Sequence, residues 1–256
     1  MPINLGGNEL NSLGTKLLND ASIITSTLVL YLDAGIATSY PGSGTTWTDL
    51  SGNGNNFTLY NGVGYSTTNG GVLTFDGTND YIASNSNIDL TSYSYVAVEV
   101  FYKANGSSVA AVFEHTADWN ANPGGLGLFI NTNGSSTVAN LNHTNHNTET
   151  AKNYAVTDNT LWNNSLNLFS RISDSTGRLT YVNGILVPFS ATGPYNTDTV
   201  TTSGGSFANS IFYIGSRGGS GAFFNGSVGS LKIYGFKINA TQTLQNFNSS
   251  RQRFAV

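Results

Sequence analysis

Three oxygen-bearing side chains lie close together in the segment from Asp76 to Asp80, and they could bind a metal ion. Asp76 and Asp80 supply carboxylates and Asn79 supplies an amide, which are the hard oxygen ligands that Ca²⁺ takes in proteins. The same side chains also build tight turns by accepting hydrogen bonds from backbone N–H groups. The sequence therefore indicates a candidate calcium site at Asp76, Asn79 and Asp80, with turn capping as the alternative. No other cofactor is expected.

A second kind of candidate chemistry is sugar binding. It requires an exposed aromatic ring that stacks on a pyranose face and polar groups that bond the hydroxyls. The candidates by residue type are Trp119, Tyr195 and Asn142, the last in an Asn-rich segment. Trp47 and Trp162 are instead expected in the core.

An enzyme that hydrolyses glycosidic bonds would require two carboxylates on one face of a cleft. The glutamates lie at positions 9, 99, 114 and 149, and none has a second acid two residues further on. The histidines do not have the spacing of zinc ligands, because His143 and His146 lie in a polar segment with only Glu149 nearby. We therefore expect a protein that is not an enzyme.

The candidate calcium ligands lie at the tip of a predicted hairpin from Gly71 to Ala83. Apolar and polar residues alternate from Val72 to Asp76, which is the period of a half-buried strand. Gly77 allows a tight turn, and a second strand is predicted to start at Tyr81. A second predicted hairpin turns at Asn183-Gly184.

The whole chain shows about a dozen such strands, separated by turns every 8–12 residues, which predicts a two-sheet antiparallel sandwich. One short helix is predicted near the C-terminus, with Thr241 as its N-cap and Leu244 and Phe247 on one face. No fixed-period repeat or linker divides residues 25–256. We therefore expect an all-β domain over residues 25–256.

Composition excludes several classes of protein. A net charge of −4 with scattered Lys and Arg argues against nucleic-acid binding. The chain has no Cys, which excludes disulfides and thiolate metal sites. No apolar run approaches the roughly 20 residues that span a bilayer, so no membrane insertion is expected. The N-terminus also lacks the pattern of a signal peptide, which predicts synthesis in a cytoplasm.

Six segments, in this order, resemble concanavalin A-like, laminin-G-like jelly-roll domains. The resemblance covers about nine tenths of the chain and implies that fold. Relatives of this kind often hold Ca²⁺ at loop tips, which is the context for the calcium prediction. The segments are LVLYLDAG (28–35), YPGSGTTWTDLSGNGNNFTLYNG (40–62), LTFDGTNDYI (73–82), TYVNGILV (180–187), YIGSRGG (213–219) and FNGSVGSLKIYGFKINATQTLQNFNSSR (224–251).

The version of the second segment found here is most similar to domains from structural proteins of tailed bacteriophages, including cyanophages. The resemblance implies a virion component, such as a fibre, a collar appendage or a head decoration. A host-surface adhesin that binds glycans is the alternative, and a polysaccharide-cleaving enzyme is a remote one.

Residues 1–24 differ from the rest because they contain no aromatic residue. Leu10, Leu13 and Leu17 have helical spacing, and glycines interrupt the pattern. We expect either a loosely attached terminus or a segment that docks on other virion proteins through Leu5, Leu10, Leu13 and Leu17. Flat, weakly charged strand faces also suit a homo-oligomer, with a trimer favoured.

Overall fold

The structure is a computed structural model that describes residues 23–105, 108–116, 125–130, 139–143, 152–156, 167–174, 177–186 and 207–254. These residues form β-strands and turns, followed by one C-terminal helix. The first nine strands are β1 (Leu28–Asp33), β2 (Thr46–Trp47), β3 (Phe57–Tyr60), β4 (Gly64–Ser66), β5 (Val72–Asp76), β6 (Tyr81–Ser84), β7 (Ile88–Asp89), β8 (Tyr95–Ala104) and β9 (Ala110–His115). The remaining elements are β10 (Leu126–Ile130), β11 (Ala139–His143), β12 (Lys152–Val156), β13 (Asn167–Asp174), β14 (Gly177–Val182), β15 (Ile185–Leu186), β16 (Asn209–Ser210), β17 (Phe212–Ile214), β18 (Asn225–Tyr234) and helix α1 (Ala240–Phe254).

Two eight-stranded antiparallel sheets make up the body of the domain. Sheet A has the order β15-β14-β13-β8-β18-β5-β4, with β1 also paired to β18. Sheet B has the order β12-β11-β10-β9-β17-β6-β3-β2, and β7 and β16 form a separate pair. The predicted two-sheet antiparallel sandwich is therefore confirmed. The predicted Asn183-Gly184 turn is confirmed too, since both residues have the positive φ (51° and 76°) that such a hairpin turn requires.

The core lies between the inner faces of the two sheets. Trp47 is fully buried there, as predicted. Phe212 of sheet B stacks on Phe113 with ring centroids 5.4 Å apart, and Phe75 of sheet A packs edge-on against Phe224 at 5.7 Å. Burying each side chain of this size stabilises the fold by roughly 1.5–3 kcal/mol. The hydrophobic contact between the sheets is therefore the main source of stability.

The predicted hairpin from Gly71 to Ala83 is wrong. β5 pairs with β4 and β18 in sheet A, whereas β6 pairs with β3 and β17 in sheet B. The turn that joins β5 to β6 is therefore a corner between the two layers, which we call the Asp76–Asp80 corner. The sequence fits both arrangements because Leu73, Phe75 and Ile82 reach the same core from opposite sheets.

The free edge of β1 is covered by the loop that follows β2. Asn53 and Asn55 donate their side-chain amides to the carbonyl of Val29, and the N–H of Leu50 donates to the carbonyl of Tyr31. The carboxylate of Asp49 accepts from the backbone N–H groups of Tyr31, Ser51 and Asn55 and from the Ser51 hydroxyl. The loop thus replaces a neighbouring strand and blocks edge-to-edge association.

Helix α1 begins with a cap at Asn239 rather than at the predicted Thr241. The Asn239 side chain accepts from the N–H of Gln242 at 3.0 Å, and the Gln242 side chain accepts from the N–H of Asn239 at 2.9 Å. This is a reciprocal capping box in which Gln242 is the partner of Asn239, so the predicted N-cap at Thr241 is wrong. The helix then packs on the outer face of sheet A, where Phe254 stacks on Phe101 at 4.1 Å.

The chain joins the folded body by residue 24. Ile24 donates its backbone N–H to the Asn246 side chain of α1 at 2.8 Å. Its side chain packs against the buried apolar group that contains Tyr234. The leucines predicted to dock on a partner, Leu5, Leu10, Leu13 and Leu17, lie outside the described residues. Among the residues described, no helix is long and apolar enough to cross a membrane.

Replacing Asp49 should destabilise the domain strongly. Asp49→Asn removes the charge from a carboxylate with four donors, so we expect the free energy of unfolding to fall by roughly 2–4 kcal/mol. Denaturant unfolding measures this change. Asp76→Asn is the matched control, since exposed Asp76 accepts one turn hydrogen bond, from the N–H of Thr78, and should cost less than about 1 kcal/mol. Equal effects of the two substitutions would contradict this role for Asp49.

Candidate functional site

Three tyrosines lie next to one another on the outer face of sheet B, and we call them the tyrosine patch: Tyr60, Tyr81 and Tyr213. Tyr60 and Tyr81 are stacked with ring centroids 4.6 Å apart and planes within 12° of parallel. Tyr81 and Tyr213 are tilted, at 6.3 Å. Tyr60 is 40 % exposed, and the other two rings are partly exposed. The patch therefore presents aromatic surface and phenolic hydroxyls to solvent.

Strand order brings these tyrosines together. β3, β6 and β17 are neighbours in sheet B, and Tyr60 pairs directly with Tyr81 while Tyr213 pairs with Ala83. On each strand the tyrosine alternates with buried residues such as Leu59, Ile82 and Phe212. Because side chains alternate across a strand, the tyrosines must point away from the core.

Two loops border the tyrosine patch. Asn61 follows Tyr60 and donates its amide to the carbonyl of Asn79 at 2.9 Å, which ties the β3 end to the Asp76–Asp80 corner. On the other side, Gly219 approaches Tyr81 and Tyr213 so closely that a Cβ there would lie 3.3 Å from both rings. The patch is therefore held between a corner rich in amides and carboxylates and a glycine-rich loop.

A buried carboxylate lies beside the patch. Glu114 pairs in register with Tyr213, is only 3 % exposed, and lies 3.8 Å from the guanidinium of Arg217. Burial raises the pKa of Glu114 to about 7, although Arg217 and a backbone hydrogen bond from Gly218 act in the opposite direction. Glu114 therefore changes charge near neutral pH, next to the exposed tyrosines.

The next residue, His115, lies on the inner side of the same strand. Its ring stacks on Phe212 with centroids 5.6 Å apart, and its Nε2 is 2.9 Å from the carbonyl oxygen of Ile88. Burial lowers the pKa of His115 to about 4. The ring is therefore a neutral part of the core at physiological pH.

Of the predicted calcium ligands, Asp76 and Asp80 lie near each other at the Asp76–Asp80 corner, where their carboxylates cap the turn. Asp80 accepts from the N–H of Asp76 at 3.1 Å, and Asp76 accepts from the N–H of Thr78 at 2.7 Å. Burial raises the pKa of Asp80, the hydrogen bond from the Asp76 N–H acts in the opposite direction, and the Asp76 carboxylate raises the pKa by a smaller amount.

A divalent cation would offset that repulsion between Asp76 and Asp80. However, these carboxylates and the Asn79 amide supply only part of the six to eight or so oxygens that Ca²⁺ takes. Calcium binding at this corner therefore stays a prediction. In the described part of the chain, this corner included, no group of three or more His, Asp or Glu side chains is placed to hold a metal.

The predicted glycan-binding residues are not the ones that form the tyrosine patch. Trp119 and Tyr195 lie outside the described residues, and Asn142 lies in β11, paired with Asn153 of β12. Tyr60, Tyr81 and Tyr213 were not among the site residues predicted from the sequence. Their signal was a tyrosine at the outward position of three short strands, but only the strand order shows that they are neighbours.

Comparisons with known proteins point to the fold alone. No protein-family model and no curated protein sequence matches this chain. Among solved structures, it is similar to the binding domain of Paraclostridial Mosquitocidal Protein 1, with a TM-score of 0.65 and 14 % identity over 88 % of this chain and 52 % of that one. The botulinum neurotoxin serotype D binding domain gives a TM-score of 0.63 with 12 % identity, again over 88 % and 52 %.

The binding domain of botulinum neurotoxin DC, solved in complex with rat synaptotagmin II, is also similar, with a TM-score of 0.61 and 13 % identity over 88 % of this chain and 52 % of that one. This chain thus spans about half the length of these domains. At such low identity the similarity shows a shared β-sandwich fold. The finer concanavalin A-like, laminin-G-like assignment stays an expectation.

Glu114 and His115 should have opposite effects on the pH dependence of stability. The pKa of Glu114 is higher in the folded protein than its ordinary value of 4.5, so its contribution to stability falls as pH rises from about 4.5 to 7. The pKa of His115 is lower in the folded protein than its ordinary value of 6.5, so its contribution to stability rises as pH rises from about 4 to 6.5. Each effect is at most roughly 3 kcal/mol, so the two largely cancel in the unmodified protein.

Single substitutions should expose each effect. Between about pH 4.5 and 6.5, we expect the free energy of unfolding of Glu114→Gln to rise with pH, and that of His115→Gln to fall, relative to the unmodified protein. Urea unfolding at several pH values measures both slopes. Parallel pH profiles for the three proteins would contradict the assigned burial of these groups.

Proposed function

We propose that this chain is a non-catalytic attachment module that binds carbohydrate on a cell surface through the tyrosine patch. The observation that carries the proposal is the set of three adjacent, partly exposed tyrosines on the outer face of a rigid sheet. Tyrosine rings combine an apolar face with a hydroxyl, which suits the mixed surface of a sugar ring.

The surroundings of the patch favour a polar ligand with many hydroxyl groups. Asn61, Thr78 and Asn79 are exposed beside it, as is Asn225 across the corner. Their amides and hydroxyls can each donate and accept hydrogen bonds. Among the described residues, the charged group that faces buried Glu114 is Arg217 rather than a second carboxylate, which favours binding over hydrolysis.

The structurally similar toxin domains favour the same class of function. One was solved in complex with SialylT, and another belongs to a toxin whose cell entry depends on two ganglioside molecules. These ligands are properties of those proteins, and they support the proposal only as examples of what a related sandwich can bind.

For its biological setting, we propose a virion component of a tailed bacteriophage, as the sequence resemblance implies. In this proposal residues 1–22 dock on other virion proteins through their leucines, and the sandwich faces outward to meet host glycans. Ile24 is tied to helix α1, so a docking segment would start directly at the surface of the body. A homotrimer remains the favoured assembly.

Tyr60→Ala should weaken carbohydrate binding without unfolding the domain. Loss of one stacking ring removes about 1–2 kcal/mol of binding free energy, which is roughly a 5- to 30-fold rise in Kd. Binding to purified host-cell polysaccharide, preceded by screening on a glycan array, measures this change.

Tyr95→Ala is the matched control for Tyr60→Ala. Tyr95 is 37 % exposed, nearly the same as Tyr60, but it belongs to β8 in sheet A. We expect this control to bind like the unmodified protein. Equal loss of binding in Tyr60→Ala and Tyr95→Ala would contradict a role for the tyrosine patch. Full binding by the double variant Tyr60→Ala/Tyr81→Ala would contradict it as well.

Deleting residues 1–22 should abolish incorporation into particles while the remaining domain stays folded, because the deletion keeps Ile24 and its bond to Asn246. Co-expression with the other virion proteins, followed by particle purification and immunoblotting, measures incorporation. Replacing Leu10, Leu13 and Leu17 by Ser in the full chain should give the same loss. Unchanged incorporation of both variants would rule out docking through this segment.

A further inference from the structure

A lysine, a carboxylate and an amide meet in the buried layer between sheet A and helix α1. Lys232 of β18 and Glu99 of β8 are direct cross-strand partners, and each is 1 % exposed. The Nζ of Lys232 lies 3.9 Å from Oε2 of Glu99. The Nδ2 of Asn246, from α1, donates to the same Oε2 at 2.9 Å. One carboxylate oxygen therefore contacts both nitrogens.

Burial and neighbouring groups act in opposite directions on the charge of Lys232. Its Nζ lies 5.4 Å from the centroid of the Tyr31 ring, a position that favours the ammonium, and the hydroxyl of Tyr234 lies 3.0 Å from Nδ2 of Asn246. Burial lowers the pKa of Lys232, although the Glu99 and Asp33 carboxylates act in the opposite direction. A buried, deprotonated lysine is a strong nucleophile.

The amide of Asn246 is polarised from its other side. Its Oδ1 accepts the backbone N–H of Ile24 at 2.8 Å. This donor would stabilise negative charge on the oxygen if a nucleophile attacked the amide carbon. The side chain of Asn246 is fully buried, so water has little access to compete with an attacking amine.

We propose that Lys232 and Asn246 join in an intramolecular isopeptide bond, with Glu99 as the proton carrier. Glu99 takes a proton from the lysine ammonium, and the free Nζ attacks Cγ of Asn246. A second proton then passes from Nζ to Nδ2 through the Glu99 carboxyl group, the Cγ–Nδ2 bond breaks and ammonia leaves, while the first proton stays on Glu99. One C–N bond forms, another breaks and one ammonia leaves, with no change in oxidation state.

This bond would fasten helix α1 covalently to the central strand of sheet A. The chain contains no Cys, so the link would work without thiol chemistry in any redox compartment. It would also resist forced separation of the helix from the sheet. The inference does not depend on carbohydrate binding, and its test is independent of that proposal.

Intact-mass spectrometry of the purified, denatured full chain tests the bond directly. We expect a mass about 17 Da below the calculated value, the mass of one ammonia. Trypsin should then yield residues 218–237, uncut at Lys232, linked to residues 238–251. A succinimide formed at another Asn would give the same mass loss but no linked peptides.

Variants assign the roles. Lys232→Met and Glu99→Gln should both show the full calculated mass of each variant, even if recovered from insoluble material. Lys237→Arg is the control, because it replaces a lysine outside the triad and should keep the loss of ammonia. The full calculated mass in the unmodified protein, or a mass loss without linked peptides, would overturn the proposal. Complete linkage in Glu99→Gln would overturn the role of Glu99.

Discussion

The need to bury two apolar sheet faces against each other determines where this protein can carry a site. Residues such as Trp47, Phe57, Phe212 and Leu231 are fully buried between the layers, which leaves the two outer faces for other tasks. Part of the outer face of sheet A is covered by α1, which packs through Phe254 and through the Glu99–Lys232–Asn246 group. The outer face of sheet B instead presents the tyrosine patch.

The sandwich could be predicted from the sequence because its signals are local. Alternation predicts strands, Asn-Gly predicts a tight turn, and a tryptophan among apolar strands predicts a core position, as at Trp47. The 71–83 hairpin was wrong for a physical reason. Two strands that flank a tight turn bury the same residues whether they pair side by side or cross between sheets. Long-range pairing to β18 and β17 decides between these arrangements, and the local sequence does not encode it.

The candidate site could not be predicted because it depends on strand order. Tyr60 and Tyr213 are far apart in the sequence, and they become neighbours only because β6 lies between β3 and β17. The Asp49 segment illustrates the opposite case, since a motif that carried a family resemblance serves to cover the edge of β1. Asp76 and Asp80 could be predicted from the sequence to lie at one turn. That this turn is a corner between the two sheets, capped by both carboxylates, is seen only in the structure.

We propose that the outer face of sheet B binds the ligand, whereas α1 covers part of the outer face of sheet A. Hydrogen–deuterium exchange with and without purified host-cell polysaccharide tests it most directly. The account predicts slower exchange on ligand addition in residues 57–62, 76–84 and 212–221, with no change in α1. Protection confined to α1 and the strands beneath it, with none around the tyrosines, would contradict the account.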